Sequence, residues 1–320
     1  MCTAISFNSS RHLFCRTLDL DSSHGESVVC TPRSFRLNNR HRSSLLEHYA
    51  ILGVGCVFDD TPLYYDAFNE KGLAAAALNF PGEAVYFPKR TGAINVASFE
   101  LITAVLSQCA SLSEATCMLE GANITDDSFS AALPTTPLHW IIADKSGSVT
   151  LESTVNGLRI YENPFGVLTN SPVFSYHTTH VADFIKTDSE PPENKITKGA
   201  RLLRYSNGLG AMGLPGDFSS SSRFVRAVFL KNHSFGGGVS SAFDIMDNLS
   251  VPRGAVITDT GKPFVTVYTS VADTDEKVYY FTTEDSRRIR AVNMSDEFMT
   301  SDSLSVFPMQ EKEKIFYIDE

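Results

Sequence analysis

The sequence predicts an α+β fold in which antiparallel strands are covered by helices. Three observations point there: short apolar runs closed by turn residues, two adjacent helical segments in the first half, and no regular strand–helix alternation. No internal repeat or low-complexity tract interrupts the 320 residues, and a single domain over 1–320 is expected.

Residues 3 to 7 and 12 to 18 are apolar-rich runs separated by Asn8-Ser9-Ser10-Arg11, the pattern of a β-hairpin. Pairing them carries Arg16 and Asp19, at the far end of the second strand, back toward Cys2. Val28 to Thr31, Ile51 to Phe58 and Leu73 to Asn79 are further strand candidates, although the alanine-rich last one reads equally as helix on propensity. Asp59-Asp60 read as the turn after the Ile51 to Phe58 strand. Ser98 to Ala110 places Phe99, Ile102, Leu106 and Cys109 on one face at helical spacing. A second helix follows from the capping-box spacing of Ser111 and Glu114, with Gly121 as its stop. His139 to Ala143, Val149 to Ser153 and Leu158 to Tyr161 form a meander, turning at Asp144 to Gly147 and at Asn156-Gly157. Asp188 to Lys198 is a polar surface loop containing Pro191-Pro192. Ser219 to Ser222 precede a helix over Arg223 to Lys231, and strands at Phe264 to Thr269, Lys277 to Thr282 and Arg288 to Val292 complete the chain.

The net charge of −10 argues against a nucleic-acid partner, which needs a basic face. Arg33, Arg36, Arg40 and Arg42 read as a solvated segment, with Phe35 alone of Phe, Tyr and Trp among them. Arg11 interrupts before a leader-like apolar region develops, and the longest apolar runs are too short to cross a bilayer. A soluble, cytoplasmic protein without a stable membrane anchor is expected. The six cysteines include no C-x-x-C pair and read as free thiols, several of them buried.

Cys2 directly follows the initiator methionine, which is normally trimmed before a small residue. Trimming leaves a thiol and a free α-amine on one residue. The thiolate is the nucleophilic form, and an amine titrating near ~8 is a usable base at neutral pH. The alternative is an inert cysteine that happens to stand second. His177 and His180, three apart, have a zinc-ligand spacing but lack further ligands, so no metal is expected. His139, beside Trp140 in an apolar strand, reads as a hydrogen-bonded structural histidine. Gly208-Leu209-Gly210 lacks the lysine and helix of a nucleotide loop, and no cofactor is expected.

Five segments stand in a characteristic order: the Cys2-Thr3-Ala4-Ile5 opening, Phe14-Cys15-Arg16-Thr17-Leu18-Asp19-Leu20-Asp21, Leu78-Asn79-Phe80-Pro81-Gly82, Gly166-Val167-Leu168-Thr169-Asn170-Ser171-Pro172, and Gly213-Leu214-Pro215-Gly216-Asp217-Phe218 leading to Ser222-Arg223-Phe224. Together they resemble the choloylglycine hydrolase family over essentially the whole chain. That family comprises conjugated bile salt hydrolases and penicillin V acylases, which are N-terminal nucleophile hydrolases. The resemblance implies a four-layer αββα sandwich, two antiparallel sheets between helical layers. It implies Cys2 as nucleophile, Arg16 beside its sulfur, Asp19 holding the α-amine, and Arg223 completing the charge network. It also implies Asn170 and the Asn79 N–H as oxyanion donors.

Taken singly, these residues admit duller roles: Arg16 and Asp19 as an exposed ion pair, Asn79 and Asn170 as turn residues, Arg223 as a helix-start surface residue. Asparagine at position 79 is similar to the bile salt hydrolase type, whereas penicillin V acylases tend to have tyrosine there. Conjugated bile salts are then the substrate, with Leu18, Phe58, Phe129 and Leu133 lining an apolar groove. The Gly208-Leu209-Gly210 loop resembles the form associated with glycine conjugates. The resemblance further implies a homo-oligomer, a tetramer. Cys15 departs from the usual glycine and introduces a second thiol near Cys2, which sensitises the site to oxidation. Rival readings are another N-acyl amide hydrolase, a non-catalytic steroid or lipid carrier, and a redox sensor pairing Cys2 with Cys15.

Overall fold

The computed structural model describes residues 1–8, 10–234 and 236–318; Ser9, in the expected first turn, lies outside them. Strands and helices follow in the order β1 (Cys2–Asn8), β2 (His12–Leu20), β3 (Ser27–Thr31), β4 (Ile51–Phe58), β5 (Thr61–Asn69), β6 (Ala74–Asn79), β7 (Ile94–Ala97), α1 (Leu101–Leu106), α2 (Leu112–Glu120), β8 (Ala122–Thr125), β9 (Leu138–Asp144), β10 (Gly147–Thr154), β11 (Gly157–Glu162) and β12 (Val167–Leu168). The remainder comprises α3 (Phe174–His180), α4 (Ser220–His233), α5 (Val239–Asp247), β13 (Val265–Asp273), β14 (Val278–Thr283), β15 (Ser286–Asn293), α6 (Asp296–Met299) and β16 (Ser305–Pro308).

Two antiparallel sheets carry the fold. The first runs β12-β1-β2-β13-β14-β15 and the second β11-β10-β9-β6-β5-β4-β3-β16. Helices α4 and α5 pack on the first sheet, α1 and α2 on the second, and β1 meets β6 and β9 between them. The order is therefore αββα, as the resemblance implies. β6 settles as a strand because Ala74 to Ala77 are buried on both faces, where small side chains let two layers approach.

The β1–β2 register sets the geometry of everything that follows. Cys2 pairs with Leu18, Ala4 with Arg16 and Ile5 with Cys15. Directly opposed residues share a face and neighbours alternate. Cys2, Leu18 and Arg16 thus face the second sheet, while Thr3, Thr17 and Cys15 face the helices. Cys15 lies three pairing positions from Cys2, roughly 10 Å along the strands, on the opposite face. That separation excludes a disulfide between them without rebuilding the hairpin. Cys15 is fully buried, and burial together with nearby Asp66 pushes its thiol far above the ordinary range. The expected oxidation-sensitive thiol pair is corrected by strand alternation.

Local chemistry explains the element boundaries. Asp59 and Asp60 both adopt positive φ, forming a tight turn between β4 and β5. The helix expected over Ser98 to Ala110 is shorter: a 3-10 turn at Ser98–Glu100 leads into α1, which stops at Leu106. Asn69 ends it by donating its side-chain amide to the carbonyls of Leu106 and Cys109, both at 2.8 Å. For α2 the Ser111 cap and the Gly121 stop hold, with Ser111 Oγ accepting from Glu114 N at 3.3 Å, but the box does not close on Ser111 N: Glu114 Oε2 accepts from Ala110 N at 2.7 Å instead. Ser219 caps α4, which therefore starts at Ser220, before the expected Arg223. A parallel pair, β7 with β8, departs from the all-antiparallel expectation. Among the described residues no helix is long and apolar enough to cross a membrane.

Gly166 offers a stability test. Its φ is +62°, and a Cβ there would sit 2.4 Å from both Ser6 O and Lys231 Nζ. Gly166→Ala is expected to cost about 2–4 kcal/mol by combining left-handed strain with overpacking. A urea midpoint unchanged from wild type would contradict this.

Candidate active site

Cys2 begins β1 with 2% of its surface exposed. Because Arg16 shares its face, the Arg16 guanidinium reaches the sulfur, NH2 to Sγ at 3.3 Å. Burial pushes the Cys2 thiol up, but the Arg16 charge, the chain-terminal ammonium and the Arg16 hydrogen bond outweigh it. The net result lies below the ordinary thiol value, against an opposing push from Asp19.

Arg16 is itself buried and held from the second sheet. Its NH1 faces Asp66 Oδ1 at 3.6 Å, and its guanidinium lies 5.7 Å from the Tyr65 ring centre. Asp66 in turn accepts from Tyr268 and Tyr279 at 2.5 Å and from Ser270 at 3.2 Å. A wholly buried arginine supported this way is not the exposed strand-end partner of Asp19 that the spacing also allowed. Arg16→Gln is expected to raise the Cys2 pKa and slow iodoacetamide alkylation at neutral pH by about an order of magnitude. An unchanged alkylation pH profile would rule out Arg16 as the source of the depression.

The backbone of Cys2 is gripped from α4 and the loop after β12. Cys2 N donates to Asn170 Oδ1 at 2.9 Å, and Arg223 NH2 donates to the same oxygen at 2.7 Å. Asn170 Nδ2 donates to Asn79 O at 2.7 Å. These contacts fix the amide's orientation and leave its second proton free, since an amide NH2 carries two. Arg223 NH1 donates to Cys2 O at 2.5 Å and to Thr3 Oγ1 at 2.6 Å, and Nε to Phe218 O at 3.0 Å. Arg223 is completely buried, so the surface reading of this residue fails.

Asn79 closes β6. Phe80 N donates to Pro137 O at 2.8 Å, which sets the hydrogen-bonded pairs of the β6–β9 ladder at even residues of β6. The N–H and C=O of Asn79 therefore both turn to the other edge, past the last β5–β6 pair, Asp66 with Ala76. The Asn79 N–H lies on the same edge as the carbonyl that Asn170 touches.

Asp19 is buried in β2. Its Oδ1 accepts from Thr266 Oγ1 at 2.7 Å, while Oδ2 is buried with no hydrogen-bond partner. Burial raises its pKa, opposed chiefly by Arg223 and the chain-terminal ammonium. Met1 extends the strand pairing, donating N–H to Asp19 O at 2.7 Å and accepting from Asp19 N at 2.9 Å.

The expected groove residues divide. Leu18 stands directly across from Cys2 on the same face, each with 2% of its surface exposed. Phe58 ends β4 at the same end of the second sheet as Asn79 and is 38% exposed. Phe129 lies between it and Phe99, at ring separations of 6.3 and 5.4 Å. Leu133, half-buried, closes a turn by donating N–H to Ser130 O at 3.2 Å. In the arginine segment Arg33, Arg36 and Arg40 are exposed, as expected, and Arg42 is half-buried. Arg33 is forked onto Glu70, and Arg40 donates to the carbonyls of Ser128 and Phe129 at 2.9 and 2.8 Å.

Several supporting residues gave no sequence signal. Ser220 Oγ accepts from Asn170 N and donates to Asn170 O, both at 2.8 Å, and His177 Nε2 reaches the same carbonyl at 2.9 Å. His177 thus holds the Asn170 backbone, and burial lowers its pKa. His180 instead stacks on Tyr176. Among the described residues no group of three or more metal-ligating side chains converges.

A model of the choloylglycine hydrolase family, linear amide C–N hydrolases, matches residues 2–307. The bile salt hydrolase/transferase of Lactiplantibacillus plantarum is 39% identical over the full length of both chains. The solved C2A mutant of the conjugated bile acid hydrolase from Clostridium perfringens superposes with a TM-score of 0.93 at 32% identity, covering 99% of this chain and 100% of that one. Penicillin V acylase from Agrobacterium tumefaciens shares the fold at a TM-score of 0.74 and 22% identity, covering 95% and 90%. The chain belongs to the choloylglycine hydrolase family of linear amide C–N hydrolases and is an amidase.

Proposed function

We propose that this amidase hydrolyses glycine- and taurine-conjugated bile salts to free bile acid and amino acid, using Cys2 as an N-terminal nucleophile once Met1 is removed. The observation that carries the reading is convergence on Cys2. Arg16 meets its sulfur, Asn170 its nitrogen and Arg223 its carbonyl. Full-length relatives described as bile salt hydrolases support the substrate class.

Removing Met1 converts the Cys2 nitrogen from an amide into a basic amine. As an ammonium it keeps the contact to Asn170 Oδ1 and gains donors for Asp19 Oδ2, the buried acceptor without a partner. The amine takes the thiol proton, and Arg16 stabilises the thiolate, which attacks the conjugate's amide carbonyl. The free Asn170 Nδ2 proton and the Asn79 N–H receive the oxyanion. Each such donor is worth roughly 3–4 kcal/mol to the transition state. The ammonium protonates the departing nitrogen of glycine or taurine as the C–N bond breaks. The acyl group remains on sulfur as a thioester. Water, deprotonated by the same amine, then attacks the thioester and restores the thiol.

Incubation with glycocholate and taurocholate is expected to release cholate. Penicillin V cleavage much faster than either conjugate would transfer the substrate assignment to the acylase branch and leave the mechanism standing. The homo-oligomer, a tetramer by resemblance, belongs to the same proposal and is read by mass in solution.

A further inference from the structure

We propose that His139 is a positioning residue for the amide hydrolysis, setting the separation of the two oxyanion donors at Asn79 and Asn170. The inference rests on the roles given to those donors above. His139 stands in β9 opposite Leu78, the residue before Asn79. Its ring stacks on Phe80, the residue after Asn79, with centroids 4.2 Å apart and planes 8° from parallel. Its Nε2–H donates to Thr169 O, the residue before Asn170, at 3.0 Å. One buried imidazole therefore touches both chain segments that carry the donors.

The need for such a contact follows from the topology. Asn79 ends a central strand, but Asn170 follows β12, a strand of two residues on the edge of the other sheet. Oxyanion donors act only when held about 2.7–3.1 Å from the developing charge, so the loop needs an anchor referenced to β6. His139 supplies it from β9, the neighbour of β6. Glu152 orients the ring: its Oε1 faces His139 Nδ1 at 3.3 Å and accepts from Phe174 N at 2.8 Å. That second bond ties the pair to the start of α3, whose His177 holds Asn170 O. A histidine that merely filled space would need only its stack on Phe80. The wholly buried Glu152, with Oε2 left unpartnered, is a costly group that such a filler does not require.

H139F keeps the stack and loses the donor, whereas H139Q keeps an amide N–H in reach of Thr169 O. With glycocholate, H139F is expected to lower kcat about 10–100-fold, as an ångström-scale misplacement of catalytic groups does. KM should stay within about twofold, since ground-state binding is untouched. Iodoacetamide alkylation of Cys2 should keep its wild-type rate, and H139Q should recover part of the lost kcat. The inference is overturned if folded H139F keeps wild-type kcat, if alkylation falls in step with turnover, or if H139Q is no better than H139F. Should H139F fail to fold, H139L, which is likewise apolar and without the donor, takes its place: lower kcat with unchanged KM and alkylation supports the role, and wild-type kcat removes it. Wild-type protein that releases no cholate sinks the parent reading and this one together. Wild-type turnover matched by H139F sinks only this one.

Discussion

Cys2→Ala is expected to abolish cholate release from glycocholate and taurocholate, a loss of at least about 10⁴-fold in kcat, as when a covalent nucleophile is deleted. The substitution removes the atom that forms the acyl-enzyme and leaves Asn79, Asn170 and Arg223 in place. The fold should be nearly unaffected, because the lost sulfur is small and the strand pairing of β1 is backbone-mediated. Cys2→Ser should be almost as inactive: Arg16 at 3.3 Å is placed to stabilise a thiolate, and an alcohol does not ionise in that range. Cholate release within tenfold of wild type by folded Cys2→Ala would remove the nucleophile assignment.

Asn170→Ala carries the second large effect. Loss of one oxyanion donor is expected to lower kcat about 10²–10³-fold. The same change leaves the buried Arg223 NH2 and Cys2 N–H without their shared acceptor, costing about 1–3 kcal/mol of stability. Asn170→Asp separates the two consequences. An aspartate retains the acceptor for Arg223 and Cys2 N–H but turns its second oxygen onto Asn79 O in place of the donor, so the stability loss should be smaller than in the alanine variant rather than absent. It loses the donor and places negative charge where the oxyanion forms, so activity should fall at least as far as in the alanine variant. Steady-state kinetics with urea unfolding reads both. Near-wild-type kcat in stable Asn170→Asp would exclude the side-chain amide as a donor.

The hairpin that brings Arg16 to Cys2 is legible because alternation and a polar turn are local properties of the chain. The same alternation places Cys15 on the opposite face, whereas proximity in sequence to Arg16 suggests the wrong neighbour. The end of α1 is not legible, because Asn69, far away in sequence, captures the carbonyls that would have continued it. The clamp on Asn170 is equally hidden: Ser220 is one of four consecutive serines, and His177 shows only a spacing that also suggests zinc. Burial of Arg223 requires knowing that α4 lies over β1, which no spacing on the helix reveals. Leu18 has the apolar character of a groove residue, and its register across from Cys2 is set by the same hairpin alternation.

The central claim is that the sulfur and the base belong to one terminal residue, and intact-mass spectrometry of the turning-over protein tests it most directly. The account predicts that active molecules lack the mass of one methionine residue and begin at Cys2. Full turnover by protein that retains Met1, whose Cys2 nitrogen is a non-basic amide, would contradict it.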